Sequence, residues 1–142
     1  MSFKLNPFTG EFAVVNKVTN NANVVLKNIP CNSLVSVTDW VVVDSFGVLQ
    51  KAQADAFSNS NVLGLVESKP TSTTANVRVL GETGDIFSGL DVTQEYFLDE
   101  ITSGSMKTTR PSGTPGFIVL KLGQPTAATR FLVLKGERII RS

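Results

Sequence analysis

The sequence predicts an all-β chain, a compact β-barrel or β-sandwich preceded by an extended arm, and three observations carry that reading. Short runs rich in Val, Leu, Ile, Phe and Thr are separated by clusters of Gly, Pro, Asn, Ser and Asp, the pattern of strands joined by turns. In Asn76-Val-Arg-Val-Leu80 the alternation has period two, so Val77 and Val79 share one face while Asn76 and Arg78 share the other. The stretch 35–81 can also be laid on 90–136 without a gap, as an internal duplication of about 47 residues would allow.

Residues 1–12 read as a docking arm. Phe3, Leu5, Phe8 and Phe12 are too apolar for comfortable solvation, and Pro7 and Gly10 interrupt them too often for a stand-alone strand. Residues 13–142 then read as a single β-domain. Strands are expected at 12–15, 23–27, 34–37, 40–44, 48–50, 62–67, 75–80, 95–98, 117–122 and 130–134, with a last short one at 138–141. Only 51–57, Lys-Ala-Gln-Ala-Asp-Ala-Phe, has a helical look. Two weakly capped turns make a loop or a single turn the better reading.

The duplication rests on placement more than on count. A constant offset of 55 pairs Val37 with Val92, Thr38 with Thr93, Asp44 with Asp99, Leu65 with Leu120, Pro70 with Pro125, Thr71 with Thr126, Thr74 with Thr129 and Gly81 with Gly136. These fall on turn and strand-end positions, where backbone geometry limits residue choice. Apolar positions follow, with Val77 on Leu132 and Val79 on Leu134. Two similar units would close around one core with approximate two-fold pseudosymmetry.

Composition excludes several function classes. Thirteen Lys and Arg against twelve Asp and Glu leave a net charge of +1, which offers no chain-wide attraction for nucleic acid or an anionic membrane. No apolar run approaches the ~18 residues of a spanning helix, and Asn6, Pro7 and Gly10 break the start where a signal peptide needs an apolar stretch, so a soluble chain without a secretion signal is expected. With no histidine and a single cysteine, Cys31, the chain lacks the usual general base and the commonest soft-metal ligands. Cys31 reads as a small buried or loop thiol. No phosphate-binding glycine loop, nucleophile elbow or calcium loop is present, and no cofactor or catalytic residue is expected.

Three groups of residues remain as candidates. Asp91, Glu95, Asp99 and Glu100 cluster, but their spacing suits neither glycoside hydrolysis nor calcium, so a solvated strand-end cluster is the plainer reading. Trp40, beside Val41–Val43, is a core or subunit-contact residue rather than a ligand platform. The end Arg138-Ile-Ile-Arg141 couples an apolar pair to two cations, as expected of a terminal strand that docks on a neighbour. Charge is also polarised along the chain: Glu82, Asp85, Asp91, Glu95, Asp99 and Glu100 precede Lys107, Arg110, Lys121, Arg130, Lys135, Arg138 and Arg141. That order would suit complementary patches between copies, or an ordinary mixed surface once folded.

Several segments carry a family resemblance. Asn6-Pro-Phe-Thr-Gly-Glu-Phe12 resembles the N-P-F-T-G-x-hydrophobic start of small tailed-bacteriophage virion proteins. Val41-Val-Val-Asp-Ser-Phe-Gly-Val-Leu-Gln-Lys-Ala-Gln-Ala-Asp55, followed by Val62-Leu-Gly-Leu-Val66, resembles a phage-structural pattern V-x-x-x-x-G-x-x-x-K-A-x-A … x-x-G-x-V. Gly89-Leu-Asp-Val-Thr-Gln-Glu-Tyr-Phe-Leu98, Thr108-Thr-Arg-Pro-Ser-Gly-Thr-Pro-Gly116 and Phe117-Ile-Val-Leu-Lys-Leu-Gly123 resemble a module of phage fibre and capsid-surface proteins. Thr93 departs from that pattern, which often has glycine there. The chain also lacks the shaft that precedes such a module in long fibres.

The resemblance implies a noncatalytic virion component made in the host cytoplasm: a capsid decoration protein, a head fibre or a tail adaptor. It implies a homo-oligomer, commonly a trimer, bound to other virion proteins such as the major capsid or tail proteins. The interface residues on this reading are Phe3, Leu5, Pro7, Phe8, Phe12, Trp40, Arg138, Ile139, Ile140 and Arg141. A carbohydrate-binding or host-adhesin module is the alternative, and its glycan would need exposed aromatics, for which Trp40 and Tyr96 are the candidates. A carboxylate enzyme using Asp91, Glu95 or Asp99 is a third.

Overall fold

The computed structural model describes residues 23–111 and 117–140. The expected strand at 12–15 and the arm 1–12 lie outside the described residues. Eleven strands are described: β1 (Val24–Pro30), β2 (Trp40–Val43), β3 (Leu49–Lys51), β4 (Gly64–Thr71), β5 (Thr74–Glu82), β6 (Tyr96–Leu98), β7 (Met106–Lys107), β8 (Ile118–Val119), β9 (Lys121–Ala127), β10 (Arg130–Val133) and β11 (Ile139–Ile140). The described residues contain no helix, so none is long and apolar enough to cross a membrane. The fold is all-β, built on one strongly curled, half-barrel sheet.

The strand order of that sheet reads β3-β2-β4-β5-β10-β9-β6-β7, with β1 added on β5 and a separate pair β11-β8. Matching β2, β3, β4 and β5 with β6, β7, β9 and β10 makes the order the same from either end. The two stretches singled out by the 55-residue offset therefore occupy equivalent sheet positions. The offset itself is not constant. In the β4–β5 hairpin Ala75 and Val77 are buried, and their counterparts in β9–β10 are Phe131 and Val133 rather than Arg130 and Leu132. A one-residue slip thus replaces the pairing of Val77 with Leu132, because burial of alternate residues, not identity at the turn, fixes which face turns inward.

Gly104 marks where the curled sheet meets itself. Its carbonyl accepts the Trp40 N–H at 2.9 Å and its own N–H donates to the Ala52 carbonyl at 2.6 Å, while the Ala54 N–H donates to the Asp99 carbonyl at 2.9 Å. The segment after β3 is thereby joined to the loop before β7. This use of its backbone explains why 51–57 forms turns rather than a helix: the Ala52 N–H donates to the Trp40 carbonyl, the Gln53 N–H to the Asn59 carbonyl and the Ala54 N–H to the Asp99 carbonyl across the sheet.

Two apolar clusters fill the fold. The larger gathers Trp40, Leu65, Leu98, Ile118, Leu122 and Phe131, and the second holds Cys31, Val35, Val41, Leu49, Val66 and Val77. Trp40 and Val42 thus point into one cluster and Val41 into the other. Burial on both faces accounts for Trp40-Val-Val42, while Val43, at the end of the run, is exposed. Phe131 lies at the centre of the larger cluster, edge-on to Trp40 at 5.7 Å and to Tyr96 at 5.8 Å between ring centroids.

Two expected strands differ from the sequence reading, and β7 falls where no strand was expected. Residues 34–37 form turns, because Asn32 Oδ1 takes the Leu34 N–H at 2.9 Å and Asp39 Oδ2 takes the Ser36 N–H at 2.8 Å, and these local bonds outcompete a ladder. Val35 is buried nonetheless. The expected strand 117–122 breaks at Leu120, whose carbonyl accepts the Leu98 N–H at 3.0 Å, leaving β8 to pair with β11 and β9 with β6 and β10.

Candidate interaction surface

The candidate residues separate sharply once placed. Phe3, Leu5, Pro7, Phe8, Phe12 and Arg141 lie outside the described residues. Trp40 has no exposed surface, which corrects its assignment to an interface: its ring is spent on Phe131 and the larger core. Tyr96 is also buried, its hydroxyl accepting the Asp91 N–H at 3.0 Å, so neither aromatic is available to stack on a glycan.

The C-terminal segment docks on its own domain. Ile139 and Ile140 pair with Val119 and Ile118, the Gly136 N–H donates to the Lys121 carbonyl, and Lys135 Nζ donates to the Val62 carbonyl. Arg138 stacks 3.5 Å from the Phe57 ring centroid and donates to the Phe57 carbonyl at 2.7 Å. Arg138 is therefore held within the chain, whereas Ile139 and Ile140 stay more than half exposed.

The acidic cluster is dispersed into structural roles. Asp91 accepts from the Thr93 hydroxyl and N–H, Glu95 pairs with Lys121 at 2.8 Å, Asp99 caps its turn, and the nearly buried Glu100 pairs with Lys107. Arg130 meets both Glu82 and Asp85. Three cations of the basic block, Lys107, Lys121 and Arg130, are therefore paired with carboxylates of the acidic block. The described residues hold no group of three or more metal-ligating side chains.

A different set of residues stands out, and the sequence reading did not single it out. Among the described residues the three most exposed large apolar side chains are Phe46 at 88%, Leu34 at 74% and Ile101 at 71%. Each is the third residue of a turn whose first residue is Asp or Asn. Asp44 Oδ1 accepts the Phe46 N–H at 2.8 Å, Asn32 Oδ1 the Leu34 N–H at 2.9 Å, and Asp99 Oδ1 the Ile101 N–H at 2.7 Å. Gln50 links the first two turns, donating to Asp44 Oδ2 and accepting from Asn32 Nδ2, both at 3.0 Å. These apolar groups are held out in fixed backbone rather than left on loose loops. The readable signal is Asn32-Ser-Leu34, Asp44-Ser-Phe46 and Asp99-Glu-Ile101, an Asx residue two places before a large apolar one.

On the other half, a shallow groove of about 310 Å³ lies between β6, β9 and β11. Phe97, Val119 and Ile139 supply its apolar lining, and Glu95, Glu137, Arg110 and Lys121 its charged lining. The Arg110 guanidinium lies 5.5 Å from the Phe97 ring centroid.

Three carboxylates, Asp44, Asp91 and Glu95, are acidified. The Val48 N–H and the Gln50 amide hold Asp44 below its usual range, the Thr93 hydroxyl and N–H do so for Asp91, and the Lys121 ammonium does so for Glu95. A carboxylate whose pKa is lower in the folded chain contributes stability that is present above its unfolded value and lost as pH falls through the folded one. Stability is therefore expected to be level from neutrality down to about pH 5 and to fall below the ordinary carboxylate range near pH 4. Denaturation midpoints across that range check it, and Asp44→Asn should flatten the acid limb.

Comparisons with protein-family models, with curated proteins and with solved structures return no match to this chain.

Proposed function

We propose that the chain is a noncatalytic structural component of a tailed-phage particle, acting as a symmetric trimer that decorates or stabilises the capsid or forms a small head or tail fibre. The observation that carries this reading is the set of fixed, exposed apolar side chains at Phe46, Leu34 and Ile101, joined by Ile139 and Ile140. Exposed apolar side chains held in fixed turns are suited to burial against a partner. The dispersed carboxylates favour the same reading, since Asp91, Glu95 and Asp99 each already serve a turn or an ion pair. The motif resemblance supplies the phage context.

The test is to band phage particles, from a lysate in which the tagged chain is expressed, on a density gradient. The chain should migrate with the particles in stoichiometric amount and stay with them after a salt wash. Recovery only from the soluble fraction would overturn the assignment.

A further inference from the structure

We infer that the open edge of β1 takes the chain's own residues 14–18 as a further antiparallel strand. β5 is flanked on one side by β4 and on the other by β1, Val77 facing both Val66 and Leu26, so the far side of β1 has no strand partner among the described residues. Such an edge presents unpaired N–H and C=O groups. Its side chains are partly uncovered as well, with Val24 42% and Leu26 37% exposed. The features that discourage a foreign strand, Lys27, the positive φ of Asn28 and Pro30, all lie in the second half of β1, which leaves Val24–Leu26 open to pairing.

The stretch that enters β1 identifies the occupant. Val14-Val-Asn-Lys-Val18 is a second β-prone run, separated from β1 by Thr19-Asn-Asn-Ala-Asn23. Five polar or small residues are the length of a hairpin loop, and Asn tolerates the positive φ that the tightest hairpin turns demand. The Asn23 side chain accepts from Arg78 Nη1 at 2.9 Å, which pins the start of β1 beside β5. Closing so short a loop costs less than ordering the same segment from a second copy. With Asn20 and Asn21 at the turn, Val15 faces Leu26 and Lys17 faces Val24. Antiparallel pairing also directs residues 1–13 toward the Pro30 end of β1, next to the Asn32 turn that holds Leu34 and, through Gln50, the Asp44 turn that holds Phe46. The apolar arm and two of the exposed anchors then share one end of the domain, a placement independent of the oligomeric reading above.

The test is amide hydrogen exchange on the intact chain. The outward N–H groups of Val24–Leu26 should be protected, and Val15→Pro, which removes a ladder donor from the added strand, should speed their exchange about tenfold or more while Val66 and Val77 stay unchanged. Exchange in β1 that Val15→Pro leaves unaltered overturns the docking. The double variant Val15→Cys/Leu26→Cys tells whose segment it is: mild oxidation should close a disulfide within one chain, and native Cys31, 4% exposed, does not compete. A link only between two copies gives the edge to a neighbour's segment and, like the absence of any link, overturns the pairing. Either failure leaves the oligomeric reading standing.

Discussion

Replacing Gly123 by alanine should cost about 3–5 kcal/mol of folding stability, close to the whole margin of a domain at the low end of the usual ~5–15 kcal/mol. Gly123 has φ +145°, a conformation that L side chains rarely adopt. An added Cβ would run into the Leu132 carbonyl oxygen and stand 3.0 Å from Phe131 Cε2 and 3.1 Å from the Leu134 N. The obstacles are backbone of the paired strand β10 and the central ring of the core, so nothing flexible can give way. Gly47 provides the control. It also has positive φ, +78°, but a Cβ there meets nothing within 4 Å, so Gly47→Ala should cost only about 1–2 kcal/mol. Equilibrium unfolding followed by the fluorescence of the single tryptophan, Trp40, measures both. Equal costs for the two variants would contradict the packing described for β9 and β10.

The second large effect is expected at Phe131. Its ring is fully buried and is the common partner of Trp40, Tyr96 and Phe87, the last at 6.1 Å between centroids. Phe131→Ala removes that ring from a site whose walls come from both halves of the sheet and cannot easily collapse, so a loss of about 3–5 kcal/mol is expected, from transfer and cavity contributions together. Phe131→Leu should recover most of it. Trp40 emission should shift to the red in the alanine variant before global unfolding. An alanine variant within 1 kcal/mol of wild type would mean that the two halves do not share one core.

Where pattern and burial coincide, the fold was legible in the sequence. The alternation in Asn76-Val-Arg-Val-Leu80 becomes a strand with Val77 inside and Arg78 paired to Glu67, and Trp40-Val-Val-Val43 becomes a strand whose first three residues lie between two clusters. The equivalence of the two strand sets was legible in the repeat, since turn residues such as Asp44 and Asp99 recur at matching places, but the strand order was not. Register did not follow, because the slip in the second hairpin is decided by the bulk of Phe131 against the core. The stretch 34–37 misled for a local reason: its apolar residues suggested a strand, but the side chains of Asn32 and Asp39 take its N–H groups. Charge polarity along the chain is partly cancelled in the fold, where Lys107, Lys121 and Arg130 meet Glu100, Glu95, Glu82 and Asp85.

Much less of the candidate surface could be read in advance. Trp40 drew attention as the lone tryptophan, yet hydrophobic bulk alone does not distinguish a core ring from a contact ring. The exposed anchors were hidden because Leu34, Phe46 and Ile101 look like core residues in a one-dimensional pattern. Only the hydrogen bonds of the Asx turns reveal that the backbone turns them outward. The terminal isoleucines were read as a strand docking on a neighbour, whereas in the structure they pair with β8 of the same chain, and Arg138 is captured by Phe57.

The measurement that bears most directly on this account is the mass of the purified full-length chain by light scattering at neutral pH, with Phe46→Ser measured beside it. The account predicts three times the 15.2 kDa chain mass for the wild type and a shift toward the single-chain mass for the variant. A wild-type protein that stays at 15.2 kDa across micromolar concentrations would contradict it.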